Sequence, residues 1–234
     1  MTHLLVLWDV DGTLLNAAGL GTRLYEMVFK VLFGRELPAV APKAGRTDRA
    51  IITDTLALAG IPEPWTQVDR FLAALASQVA VVDGTLNAQV HLLAGASAAI
   101  AALARASTPH RRIHQSVLTG NVRPLAALKL AAAGLGDHLD LGAGAYGDAH
   151  EVRAELVPVA RLAASRRYGA DFAGSATILI GDTPLDVEAA LATGARVVGV
   201  ATGGYSTAEL AEAGAHAVLP DLTDSALVVA AVTG

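Results

Sequence analysis

The sequence predicts an α/β protein, a parallel doubly wound sheet with a block of helices inserted after its first strand. Three observations predict it. The chain opens on a continuous apolar run, Leu4-Leu5-Val6-Leu7-Trp8, as a strand buried on both faces requires, and the run stops at two carboxylates. From about residue 90 onward helical and strand patterns alternate, the mark of parallel strands joined by crossover helices. Between these, every patterned segment from 15 to 87 reads as helix.

Taken in order, Leu4 to Trp8 is the first strand, and Asn16 to Gly21 is turn-prone. An amphipathic helix spans Thr22 to Phe33 and stops at Gly34, and Glu36 to Pro42 is a loop. Gly45-Arg46-Thr47-Asp48 leads into a helix over Arg49 to Ala59, stopped by Gly60 and Pro62. Pro64 suits a first helical position and opens a helix through Trp65 and Phe71 to about Val82, both aromatics being read as packing among the inserted helices. A helix from Val90 to about Arg105 follows, then a short strand, Gln115 to Thr119, and a helix, Val122 to Ala133. Leu139 to Leu141 reads as a strand and Glu151 to Tyr168 as a long helix. Thr177 to Ile180 is a strand, Leu185 to Thr193 a helix stopped by Gly194, and Arg196 to Val200 a strand. Helices over Thr207 to Ala213 and Asp224 to Val232 flank a last strand, Ala217 to Leu219.

Composition removes several classes of function. A formal charge of −5 with no basic tract argues against a nucleic-acid partner. The chain has no cysteine, hence no disulfide framework, thiol nucleophile or cysteine zinc site. The N-terminal run lacks a basic leader and is interrupted by Asp9, so it does not read as a signal peptide. The longest uncharged stretch, Gly84 to Ala104, contains Asn87, Gln89, His91, Gly95 and Ser97 and reads as a core helix with its lead-in, not a membrane span. A cytoplasmic protein is expected, as a monomer or homodimer, the 17% of charged residues leaving room for a dimer face.

Asp9-Val10-Asp11-Gly12-Thr13-Leu14 lies at the carboxyl end of the first strand, where ligands bind in open parallel sheets. Extended geometry turns Asp9 and Asp11 the same way, and two crowded carboxylates repel unless a cation or a shared proton relieves them. Ser116-Val117-Leu118-Thr119-Gly120-Asn121 ends a second strand in a hydroxyl and a glycine, which can hold a phosphate with nearby backbone N–H groups. Gly181-Asp182-Thr183-Pro184-Leu185-Asp186 follows a third, and its two carboxylates suit a hard cation such as Mg²⁺, though Asp helix caps read the same way. A literal G-x-G-x-x-G, Gly142 to Gly147, lacks a good strand before it, a prompt helix and a trailing acid, and reads as a mobile loop near the site. His110 and His114 flank a basic turn and read as surface residues, not a zinc pair.

Together the first three of these stretches resemble the first, second and fourth motifs of the haloacid-dehalogenase-like (HAD) phosphatase superfamily, in order and over nearly the whole chain. The resemblance implies a Rossmann-like parallel-sheet core, residues 1–14 and 88–234, with an all-α cap domain, 15–87, standing over the strand ends. It implies that Asp9 is a nucleophile and Asp11 a general acid/base, and that Thr119, Gly120 and Asn121 bind phosphate. Mg²⁺ would be held by Asp9, the backbone carbonyl of Asp11 and Asp182, with Asp186 a ligand or a supporting carboxylate. The family places a cation beside the phosphoryl group, usually lysine; Arg153 is the favoured counterpart here and Lys129 its rival. Family caps present a loop or helix end to the leaving group, which makes Arg46, Thr47 and Asp48 substrate candidates, with helix capping an equal reading.

The implied activity is a Mg²⁺-dependent phosphatase acting on small phosphorylated metabolites through an aspartyl-phosphate, in the phosphoglycolate-phosphatase-like branch. A β-phosphoglucomutase-like mutase shares every core residue, and an inactive HAD scaffold that only binds is the alternative of a different class. The carboxyl at Asp11 argues against dehalogenase and phosphonatase chemistry, since those relatives lack it.

Overall fold

The computed structural model describes residues 1–17, 19–81 and 89–234. Five parallel strands form the main sheet: β1 (Thr2–Trp8), β4 (Arg111–Val117), β5 (Thr177–Gly181), β6 (Arg196–Val200) and β7 (Ala217–Leu219), in the order β4-β1-β5-β6-β7. The order departs from β1 in both directions, so the crevice at its carboxyl end is the topological switch point of the sheet.

β1 shows why the apolar run is unbroken. Leu4, Val6 and Trp8 belong to one core and Leu5 and Leu7 to the other, each side chain being buried. The sheet thus separates two cores. On one side pack α4 (Ala96–Arg105), α5 (Arg123–Ala132) and α9 (Ser225–Thr233); on the other α6 (Leu156–Tyr168), α7 (Pro184–Ala192) and α8 (Thr207–Glu212). The indole N–H of Trp8 is satisfied by Gln115 Oε1 at 3.1 Å, and Gln115 in turn donates to the Ile100 carbonyl.

Between β1 and α4 the inserted helices are α1 (Leu20–Phe33), α2 (Asp48–Leu58) and α3 (Val68–Val81), the last preceded by a 3₁₀ turn, Pro64–Gln67. Tyr25 of α1 meets Phe71 of α3 with ring centroids 5.4 Å apart. Phe71 is core, but Trp65 is 65% exposed, against the packing role expected for it. The stop at Val82 and the boundary at 87/88 lie outside the described residues.

Several elements differ from expectation for identifiable reasons. A two-stranded antiparallel ribbon, β2 (Leu15–Asn16) with β3 (His91–Leu92), joins the two ends of the insertion, so the helix expected from Val90 begins at Ala96, after Gly95 in the left-handed region (φ 81). β4 stops at Val117, before Thr119, because the next residue to pair, Leu118, bridges Ala145. Leu139 to Leu141 is not a strand; Asp140 caps a 3₁₀ turn over Leu141–Ala143. The glycine-rich 142–147 segment is no loose loop, since Ala145 exchanges hydrogen bonds with Val117 and Thr119 and Gly147 N donates to the Asn121 carbonyl. The long helix starts as a 3₁₀ turn, Arg153–Glu155, and is α-helical only from Leu156. Among the described residues no helix is long and apolar enough to cross a membrane.

Candidate active site

The site is built at the carboxyl ends of β1, β4 and β5, under the inserted helices. Asp9 continues β1 by donating its N–H to Ile180 O at 2.8 Å, and Val10 O then accepts from Leu14 and Leu15 N, which folds the chain back sharply. Gly12 takes φ +85 in this turn, and a Cβ there would collide with the Asp182 carboxylate. Asp182 extends β5 and accepts from Thr13 Oγ1 at 3.0 Å. Asp186 lies at the third position of α7, where it completes a capping box with Thr183.

Arg153 ties these carboxylates together. Its Nη2 donates to Asp9 Oδ1 at 2.7 Å, to Asp186 Oδ1 at 2.6 Å and to the Leu118 carbonyl at 3.3 Å. The guanidinium is buried, and the two carboxylates hold it protonated well above its ordinary range although burial opposes this. Its Nε is buried without a hydrogen-bond partner among the described residues. Lys129, also buried, sits on the other carboxylate: Nζ donates to Asp11 at 2.8 and 2.7 Å and to Asn121 Oδ1 at 2.8 Å. The two rival cations are therefore both in the site, Arg153 on Asp9 and Lys129 on Asp11.

Thr119 is buried at the floor, its N–H bonded to Ala145 O and its hydroxyl accepting from Asn121 Nδ2 at 2.8 Å. Asn121 Nδ2 also donates to Asp11 Oδ2 at 2.7 Å, so its side chain orients that carboxylate. Gly120 lets two backbones meet, since its carbonyl accepts from Asp48 N at 2.7 Å and a Cβ would strike the Arg46 carbonyl.

The residues before α2 divide their roles. Thr47 caps α2 by accepting from Ala50 N at 3.2 Å and donates to the Glu151 carbonyl at 2.7 Å, so its hydroxyl is used structurally. Asp48 is buried, accepting from Tyr25 Oη and Val122 N, each at 2.7 Å. It fastens α2 to α1 and to the start of α5. Arg46 lines the cleft but its guanidinium pairs with Asp54 at 2.6 Å.

The electrostatics are those of crowded acids. Burial pushes the Asp9 carboxyl well above its ordinary value, with Asp186 and Asp182 adding to the rise and Arg153 opposing it. Burial, reinforced by the charge of Asp186, takes Asp182 to about 7. One oxygen each from Asp9, Asp182 and Asp186 lie within 4.8 Å of one another, the hard-oxygen donor set a divalent cation requires. Both oxygens of Asp186 are already engaged, Oδ1 by Arg153 and Oδ2 by Thr183, which suits it to support a ligand shell more than to enter it.

Among the contributors that sequence reasoning missed in the cleft, whose volume is about 450 Å³, are Tyr25, Lys43, Thr202 and Gly203. Thr202 Oγ1 donates to the Gly12 carbonyl at 2.6 Å, and a Cβ at Gly203 would collide with the Asp182 carboxylate. The signal for the last two was available, a Thr-Gly-Gly at the carboxyl end of β6. His114 stacks on Tyr168 and bonds to His3, away from any acidic cluster among the described residues.

This architecture has known counterparts. Residues 152–225 match the family model described as HAD-hydrolase-like. A hydrolase from Pseudomonas syringae aligns over the full length of both chains at 22% identity with a TM-score of 0.66. A protein described as a predicted phosphatase from Clostridium acetobutylicum aligns over 98% of this chain and 100% of its own, at 18% identity with a TM-score of 0.67. A provisionally assigned phosphoglycolate phosphatase from Lactobacillus plantarum aligns over 97% and 100%, at 17% identity with a TM-score of 0.63. No curated protein matches the chain. Residues 152–225 are thus similar to HAD-like hydrolases, and the chain as a whole shares the fold of these solved structures. Hydrolases of this class generally work with a divalent metal ion, and the buried acidic cluster is the chemistry such an ion needs.

Proposed function

We propose that this protein is a Mg²⁺-dependent phosphatase of small phosphomonoesters, phosphoglycolate-phosphatase-like, working in the cytoplasm through an aspartyl-phosphate on Asp9. The observation that carries the reading is the pairing of two carboxylates with two cations at the switch point: Asp9 held by Arg153, and Asp11 held by Lys129. A phosphoryl centre placed before Asp9 has a fixed nucleophile on one side and, on the other, Asp11, whose side chain is 41% exposed to the cleft.

Asp9 attacks phosphorus with one carboxylate oxygen while Arg153 fixes the other in place, so little orientation is left to be lost in the transition state. The phosphorus–oxygen bond to the leaving group breaks, its electron pair stays on that oxygen, and protonated Asp11 supplies the proton. Asp11, now a carboxylate, takes a proton from the water that attacks the aspartyl-phosphate, and Asp9 is released with inorganic phosphate. The Thr119 hydroxyl and the Arg153 guanidinium supply donors to the equatorial oxygens, the electrostatic part that dominates phosphoryl transfer. Asp9, the backbone carbonyl of Asp11 and Asp182 would hold Mg²⁺, with Asp186 behind them. When bound, the ion supplies positive charge against the phosphoryl oxygens and between the crowded carboxylates.

Hydrolysis of a panel of small phosphomonoesters, with and without Mg²⁺, tests the reading. Wild type is expected to release phosphate only with Mg²⁺, and Asp9→Asn to release none. Release that survives Asp9→Asn would overturn the mechanism.

A further inference from the structure

The cations lining the cleft are not equally occupied. Arg153 pairs with Asp9 and Asp186, Lys129 with Asp11, and Arg46 with Asp54. Lys43, in the segment before α2, has no carboxylate within ion-pair distance among the described residues, and its Nζ donates to the Thr22 hydroxyl at 2.5 Å. It is half-buried, and an ammonium withdrawn from water without a counter-charge is unfavourable, so an arrangement of this kind favours an incoming anion.

Its surroundings say where that anion would sit. Lys43 is close enough to Lys129 and Asp11 for both charges to act on it, and burial, reinforced by Lys129, draws its pKa below the usual lysine value while Asp11, Asp48 and Glu26 pull the other way. Asp11 is engaged by Lys129 and Asn121, Asp48 by Tyr25 and Val122, and Glu26 of α1 makes no ion pair with Lys43. Gly21 presents no side chain beside the ammonium, and a Cβ there would stand 3.7 Å from Nζ, which leaves room for a ligand group. Beyond it the wall turns apolar, with Ile51, Leu93 and Leu125.

We propose that Lys43 is a specificity-determining residue that binds a second anionic group on the leaving portion of the substrate. It rests on the phosphatase reading, which makes Asp11 the donor to the leaving oxygen and hence puts Lys43 on the leaving-group side. The substrate class is then a small phosphomonoester bearing a carboxylate or a second phosphate within a few bonds of the ester oxygen. A neutral chain of the same length would reach the apolar wall but leave the ammonium uncompensated.

The experiment compares kcat/KM for phosphoglycolate (carboxylate arm), ethylene glycol bisphosphate (phosphate arm) and ethyl phosphate (neutral), in wild type, Lys43→Met and Lys43→Arg. A charge-assisted contact implies a preference of about tenfold or more in wild type for one anionic ester over the neutral one. Lys43→Met should collapse that ratio towards one and Lys43→Arg should keep it; the preferred ester identifies the anion. No preference in wild type, or a ratio that survives Lys43→Met, overturns the proposal. Should wild type hydrolyse none of the three, the phosphatase reading fails on its own account. Calorimetric binding of the same compounds then decides the question for Lys43: about tenfold weaker binding of the preferred anion by Lys43→Met upholds it, and equal affinity overturns it.

Discussion

Arg153 is the residue on which the proposed chemistry turns, because a single buried nitrogen meets both Asp9 and Asp186. Lysine at that place would keep the charge but replace the delocalised guanidinium, whose Nη2 alone serves two carboxylates and a carbonyl, by a compact and more strongly hydrated ammonium. Arg153→Met is expected to lower kcat/KM on the best phosphomonoester by about a hundredfold or more, with Arg153→Lys between the two, as steady-state kinetics would read. Asp182 carries a different consequence. Its folded pKa of about 7 stands above its ordinary 3.8, so between those values the folded protein holds a proton that the unfolded chain has released. Stability from this group is full below about 4 and is lost as pH rises through about 7. The melting temperature of metal-free protein should therefore fall more steeply from pH 5 to pH 8 in wild type than in Asp182→Asn, and Mg²⁺ should restore more at pH 8 than at pH 5. Parallel slopes in the two proteins would remove the assignment. Residue identities at Asp9, Asp11, Thr119, Asp182 and Asp186 were legible in the sequence because each follows a strand. The division of labour between Arg153 and Lys129 was not, since both lie on helical segments and only tertiary packing decides which acid each one meets.

At the scale of elements, strands with unbroken apolar runs and helices with glycine stops are found within a residue or two of where the sequence puts them; β5, β6, β7 and α7 are examples. The ribbon β2–β3 escaped because two residues per strand carry no periodicity, and the turn at Leu141–Ala143 escaped because a short apolar triplet suits a strand or a 3₁₀ turn equally. Trp65 was misplaced for a related reason: its size suggests burial, but the turn Pro64–Gln67 buries none of its residues. The two aromatics of the insertion make a test. Phe71→Ala, which empties the contact with Tyr25, should cost about 3–5 kcal/mol in denaturant unfolding, whereas Trp65→Ala should change stability by no more than about 0.5 kcal/mol.

For the whole molecule, the fold follows from β1, whose alternate residues feed two cores and whose end supplies both central acids. The insertion does more than stand over that end. Asp48 N and Arg49 N donate to the carbonyls of Gly120 and Gly147, and the Asp48 carboxylate receives Val122 N, so the start of α2 is joined to the core through backbone atoms on two separate segments, 120–122 and 147. The inserted helices are consequently not an interchangeable module. Grafting this segment onto another core of the same fold would transfer its selectivity only if the recipient offered a glycine where Gly120 stands and another where Gly147 stands. A side chain at either place would strike its neighbours and hold the graft away from the acids it is meant to serve. Recombination between relatives at these boundaries is thus constrained by two glycines at the contact between insertion and core.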